Sequence, residues 1–137
     1  MVLGSIGYGG IDNIRRVYSL LREDEFSILN HVEEEHMDYS SMDDFRDQKE
    51  LSKKIVEHDL KYVQKADVLV VLTGTPSYGT AIEMYVARNL GKKVILLAEN
   101  PIPTPWPIYF SDYVVKTEEE LLNILRRLGK EGVIQHS

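Results

Sequence analysis

Residues 66–98 read ADVLVVLTGTPSYGTAIEMYVARNLGKKVILLA, and the fold follows from how that stretch is parsed. ADVLVVL is rich in Val and Leu without polar alternation, the pattern of a central parallel strand buried on both faces. GTPSYG is turn chemistry, TAIEMYVARNLG reads as a helix closed by Gly91, and KKVILLA is another buried strand. Strand, helix and strand in that order make a βαβ unit.

The alternation continues in both directions. Upstream, MVLGS is a short strand running into the glycine-rich turn GSIGYGG, and Asp12 is the expected N-cap of a helix carrying Ile14, Val17, Tyr18 and Leu21. FSILNHV reads as a second strand. The acidic stretch from Glu33 to Asp44 reads as a loop long enough to be a candidate lid. A long helix is expected over roughly Phe45 to Gln64, just before ADVLVVL. Downstream, the proline-rich loop ENPIPTPWPIYF leads to DYVVK, an expected edge strand, and Thr117 with Glu120 forms a capping box opening a last helix. Neither repeats nor a linker interrupt the chain. The expectation is one α/β domain, residues 1–137, with a doubly wound parallel sheet, helices on both faces, and a flavodoxin- or Rossmann-like layout. In such sheets ligands bind beyond the carboxyl ends of the strands, where both glycine turns fall.

Composition narrows the function. With 137 residues, 43% of them hydrophobic and 28% charged, the chain has the make-up of a globular domain with its own core. A formal charge of −6 and the lack of any Lys/Arg run argue against nucleic-acid binding, which depends on phosphate contacts. No apolar stretch approaches the ~20 residues of a membrane span, and no signal-peptide pattern opens the sequence. The chain has no cysteine, so thiolate chemistry is excluded and a cytoplasmic setting is expected. The four histidines lack metal-ligand spacing, so neither a metal nor another cofactor is expected.

Two carboxylates stand out. Glu83 lies among small and apolar residues just after a glycine turn. TAIE fits a capping box with Thr80 as N-cap and Glu83 bonding back to it; the alternative is a carboxylate held at the crevice to attack an electrophilic carbon. Asp59 falls within the i, i+4 stripe of Leu51, Ile55 and Val63. An acid there needs either a hydrogen-bonding partner or a raised pKa. Two carboxylates aimed at one crevice suit glycoside chemistry, one as nucleophile and one as proton donor to the leaving group. The turn over Gly4, Ser5, Ile6, Gly7 and Tyr8 could cradle phosphate through its amides, with Ser77 beside Gly79 adding a hydroxyl; each is also readable as ordinary turn chemistry. His31, ending the second strand, could stack on a base or be merely structural.

Taken together, GSI with GG after the first strand, NHV ending the second, IVEHDLKYVQKADVLVV and then PSYGTAIE resemble the nucleoside 2-deoxyribosyltransferase superfamily. The nearest branch by these motifs is the 2′-deoxynucleoside 5′-phosphate N-hydrolases. The resemblance runs from Val2 to about Leu97. It implies that Glu83 is the nucleophile forming a glycosyl ester at C1′, and that Asp59 serves the departing base as acid or positioning group. It also implies base contacts from Ile55 and His31, with the 5′ end received by the Gly4–Gly10 loop and Ser77. Free-nucleoside transferases similar to this chain carry an aspartate where Ser77 stands; a serine at a helix N-terminus favours a phosphate instead. Met1 stands where the family has a tyrosine, and the family arginine after GSI is absent, Gly7-Tyr8 occupying a loop one residue longer. The expected function is cleavage of the N-glycosidic bond of a nucleoside 5′-monophosphate, releasing base and sugar phosphate. A base-exchanging transferase and a non-catalytic nucleotide-binding module are the alternatives. The expected ligand is a small nucleotide or nucleoside, with no nucleic acid and no membrane. The apolar NPIPTPWPIYF loop, together with family members that share sites between subunits, implies a homodimer or higher homo-oligomer.

Overall fold

The computed structural model describes residues 1–4, 10–24, 26, 28–30, 39, 41–42 and 44–132. In chain order its elements are β1 (Val2–Leu3), α1 (Gly10–Glu23), α2 (Lys49–Lys65), β2 (Val68–Leu72), α3 (Tyr78–Asn89), β3 (Lys93–Leu97), α4 (Trp106–Tyr109), β4 (Tyr113–Val115) and α5 (Glu118–Lys130). The four strands form one parallel sheet in the order β1-β2-β3-β4, with Val2 opposite Val70, Val70 opposite Ile95 and Ile95 opposite Tyr113. β4 lies on an edge, as the sequence predicts.

Successive strand residues point to opposite faces, so one unbroken apolar run supplies two cores. Val68 and Val70 join Ile95, Leu97 and Val115 under Ile14, Val17 and Tyr18 of α1 and Leu121, Leu125 and Leu128 of α5. Leu69 and Val71 join Val94 and Leu96 under Val63 of α2 and Met84 and Ala87 of α3. This is the expected α/β fold, a doubly wound parallel sheet with helices on both faces. At ~1.5–3 kcal/mol per buried aliphatic side chain, these two layers dominate stability. Tyr18 ties the first core to β1: its hydroxyl accepts from Val2 N at 2.9 Å and donates to Leu29 O at 2.7 Å.

Several boundaries differ from the sequence expectation. α1 starts at Gly10, so Asp12 is not its cap but an acid in its first turn, where it complements the helix dipole. α2 starts at Lys49 rather than near Phe45, because the Asp44 carboxylate accepts from Arg46 N at 2.9 Å and builds a local turn that competes with the helix. Of the expected second strand, Phe26 makes a single bridge, residues 28–30 are irregular, and the remainder lies outside the described residues. Within the proline-rich loop, Trp106–Tyr109 forms a helical turn. Thr117 caps α5 by accepting from Glu120 N at 3.1 Å, and Glu120 reaches back to Lys116 N at 3.0 Å, one residue before the cap. Gly91 has a φ of 74°, which suits glycine at the close of α3. Among the described residues no helix is long and apolar enough to cross a membrane.

Candidate active site

The end of β2 and the start of α3 organise the site. Ser77 is extended (φ −138°, ψ 131°), and its hydroxyl accepts from Thr80 N at 3.4 Å, so Ser77 is the N-cap of α3. That overturns the capping box drawn from Thr80 and Glu83, because the helix begins three residues earlier and Thr80 already lies inside it. Glu83 is thereby released from capping. Its Oε2 is buried and has no hydrogen-bond partner among the described residues. A buried carboxylate oxygen without a partner costs stability, so it is the feature of this structure that most needs a reason.

Burial pushes the Glu83 carboxyl up to about 8, and the neighbouring negative charge of Asp59 adds to the rise. Asp59 comes from α2, which packs beside α3. Burial raises its pKa as well, while the adjacent His58 counteracts this through a hydrogen bond and its charge. The His58 Nδ1 to Asp59 Oδ1 distance is 3.1 Å. Ile55, one turn before Asp59 on the same stripe, is buried but belongs to neither core.

Gly79 lies against the same group. A Cβ placed there would meet Glu83 Oε1 at 3.6 Å and Ser77 Oγ at 3.8 Å, so the glycine keeps open the space over both oxygens. Gly4 ends β1 at the carboxyl edge of the sheet, where a Cβ would press on Leu72 Cβ at 3.3 Å. The fold thus brings Glu83, Asp59, Ser77 and Gly79 together, sets Ile55 one turn away and puts Gly4 at the neighbouring strand end. Ser5, Ile6, Gly7, Tyr8 and His31 lie outside the described residues.

Two residues escaped the sequence reading. Tyr39, half-buried and edge-on to Phe45 at 5.5 Å, has its hydroxyl pKa raised by burial and then by the charges of Asp59 and Glu83. No spacing pattern could have found it, since it arrives from a loop distant in sequence. His58 was visible only as the neighbour of Asp59.

A pocket of about 930 Å³ opens on the other flank of α3, between Ser77, Ala81, Met84 and Tyr85 on one side and Ile102 and Trp106 on the other. Neither Glu83 nor Asp59 lines it. Residues two apart on a helix point ~200° apart, so a helix that shows Ala81 and Tyr85 to this pocket turns Glu83 toward α2.

The structure is an α/β sheet protein with two neighbouring acids, Asp59 and Glu83, on helices packed side by side. A sequence profile described as Nucleoside 2-deoxyribosyltransferase matches residues 11–125, and the chain belongs to that family. It is therefore an enzyme of N-glycosidic bond transfer or cleavage acting on nucleosides or nucleotides. No curated protein and no solved structure matched the chain.

Proposed function

We propose that this enzyme hydrolyses the N-glycosidic bond of a nucleoside 5′-monophosphate, with Glu83 as nucleophile. The observation that carries the reading is the buried, unpartnered Oε2 of Glu83 beside Asp59. An ionised Glu83 oxygen bonds to C1′ while the C1′–N bond breaks and its electron pair leaves with the base. Asp59 gives that base its proton, and water then cleaves the glycosyl ester to release sugar phosphate. Burial raises the Glu83 pKa in the free protein; the productive form has Glu83 ionised and the proton on Asp59. The transferase alternative differs only in letting a second base, rather than water, resolve the ester.

Ser77 favours a phosphate at the 5′ end. Its oxygen already accepts from Thr80 N, which leaves the hydroxyl hydrogen to donate, at the positive end of a twelve-residue helix. Ile55 and His31 are assigned to the base, and Gly4 to Tyr8 with Gly79 to the sugar phosphate. Residues 1–137 act as one cytoplasmic domain in this reading.

Two copies are part of the proposal. All 16 Lys and Arg lie among the described residues, yet none lines the pocket or occupies residues 73–77 or 98–105 beyond β2 and β3. A partner subunit would supply the missing cation. Exposed aromatic side chains could receive it: Trp106 is 71% exposed and Tyr109 70%, the latter under the Arg88 guanidinium. Incubation with a panel of nucleoside monophosphates, followed by chromatography for free base, tests the chemistry. Sedimentation at micromolar concentration tests the assembly. Equal turnover of nucleosides and nucleotides would favour base exchange, and an active monomer would remove the shared site.

A further inference from the structure

His58 and Asp59 are consecutive on α2, and consecutive helical side chains point about 100° apart and do not face one another. Their contact therefore requires the imidazole to turn back across the helix surface. It does so with Nδ1 3.1 Å from Asp59 Oδ1, and both side chains are largely shielded from water, His58 being 15% and Asp59 13% exposed. The ring is held in that attitude by Tyr62, one turn on, whose ring centroid is 4.7 Å away at a 33° tilt. Among the described residues, Glu83 on α3 and Tyr39 from the segment before α2 are coupled to Asp59 by charge.

We propose that His58 is a positioning residue for Asp59: its Nδ1–H donates to Oδ1, fixes the carboxyl plane, and leaves Oδ2 to carry the proton that goes to the departing base. The inference rests on the reading of Asp59 as the acid of the reaction. When Oδ2–H passes its proton to the base, Asp59 becomes a carboxylate, and the bond it accepts from Nδ1–H gains an anionic acceptor. Bonds of that kind are about twice as strong as neutral ones. The gain arises only as the base leaves, so it lowers the barrier without tightening substrate binding. His58 touches neither sugar nor base in this scheme and acts through Asp59 alone.

The test pairs His58→Phe, which keeps a flat ring against Tyr62 but loses the donor, with His58→Gln, which returns an uncharged N–H donor. Base release by His58→Phe should fall in kcat by roughly 10- to 100-fold with KM changed less than about threefold. His58→Gln should recover most of the loss. A wild-type kcat in His58→Phe, or an equal loss in both variants, would overturn the proposal. Nitrogen-15 NMR of the histidines gives a readout independent of activity: the wild-type protein should show a proton on His58 Nδ1 that exchanges slowly, and Asp59→Asn should speed that exchange. A bare Nδ1 in the neutral protein would refute the donor role. If wild-type protein releases no base from any nucleotide, the functional reading fails and the catalytic part of this inference with it, while the NMR result still reports whether the pair exists.

Discussion

The two flanks of α3 are built from one twelve-residue helix and break opposite rules. On the flank facing α2, Glu83 is tucked away with an unsatisfied oxygen and a second acid nearby. On the outer flank, Ile82 and Tyr85 are more than half exposed beside the solvent-facing Trp106. Stability alone would put the acid outside and the aromatics inside. Both inversions sit at the carboxyl end of the sheet, where this architecture binds ligands. In the proposed reading the inner flank serves chemistry and the outer one contact between subunits.

Glu83→Gln breaks the inner flank most severely. It should lower base release by roughly a thousandfold or more while nucleotide affinity stays nearly unchanged, because shape is kept and the attacking oxygen is lost. It should also stabilise the protein. The folded-state pKa of Glu83 is raised to about 8 from 4.5, so its contribution is fully present below about 4.5 and is lost as pH rises toward 8. The stability gap between Glu83→Gln and wild type should therefore widen across that window, by at most ~4 kcal/mol. Melting curves at pH 4.5 and 8 check this; a variant that melts lower at pH 8 would mean that the carboxylate is structural.

Next in size is the phosphate. Removing it from the substrate should reduce kcat/KM at least tenfold, since charge-assisted bonds of ~1.5–3 kcal/mol each are lost. Parallel kinetics on a nucleoside and its monophosphate measure it. The pH profile comes third. Below about 8 the free enzyme loses the ionised Glu83, so kcat/KM should fall toward acid. Because Asp59's charge is the second cause of that raised value, Asp59→Asn should shift the midpoint of the residual activity downward. The smallest effect belongs to the outer flank: if the protein pairs as proposed, Trp106→Ala should shift it toward monomer and lower activity severalfold together. Sedimentation beside the assay separates the possibilities, since activity lost with the dimer intact would place Trp106 in the substrate pocket.

Much of this arrangement was legible in the sequence, and the parts that were not share a cause. ADVLVVL and KKVILLA announce doubly buried strands because parallel strands need apolar residues on both faces. Gly91 and Thr117 announce helix ends because their roles are local. Ser77 and Thr80 are a different case. Both can cap, and only the extended backbone at Ser77 decides between them; that choice is what frees Glu83. α2 starts later than its sequence pattern suggests because a turn at Asp44 competes with the helix. Tyr39 and the His58–Asp59 contact depend on tertiary packing and on a ring turned against helical periodicity, which no spacing pattern encodes.

Covalent bonding of Glu83 to the sugar is directly measurable. A nucleoside monophosphate carrying fluorine at C2′ should slow breakdown of such an ester, because fluorine destabilises the cation-like transition state. Intact-mass measurement after incubation, followed by trypsin digestion, reads the outcome directly. Cleavage after Lys65 and Arg88 isolates residues 66–88. One sugar phosphate should appear on that peptide, localised to Glu83 by fragmentation and absent from Glu83→Gln. Base release with no adduct, or an adduct on any other residue, would contradict it.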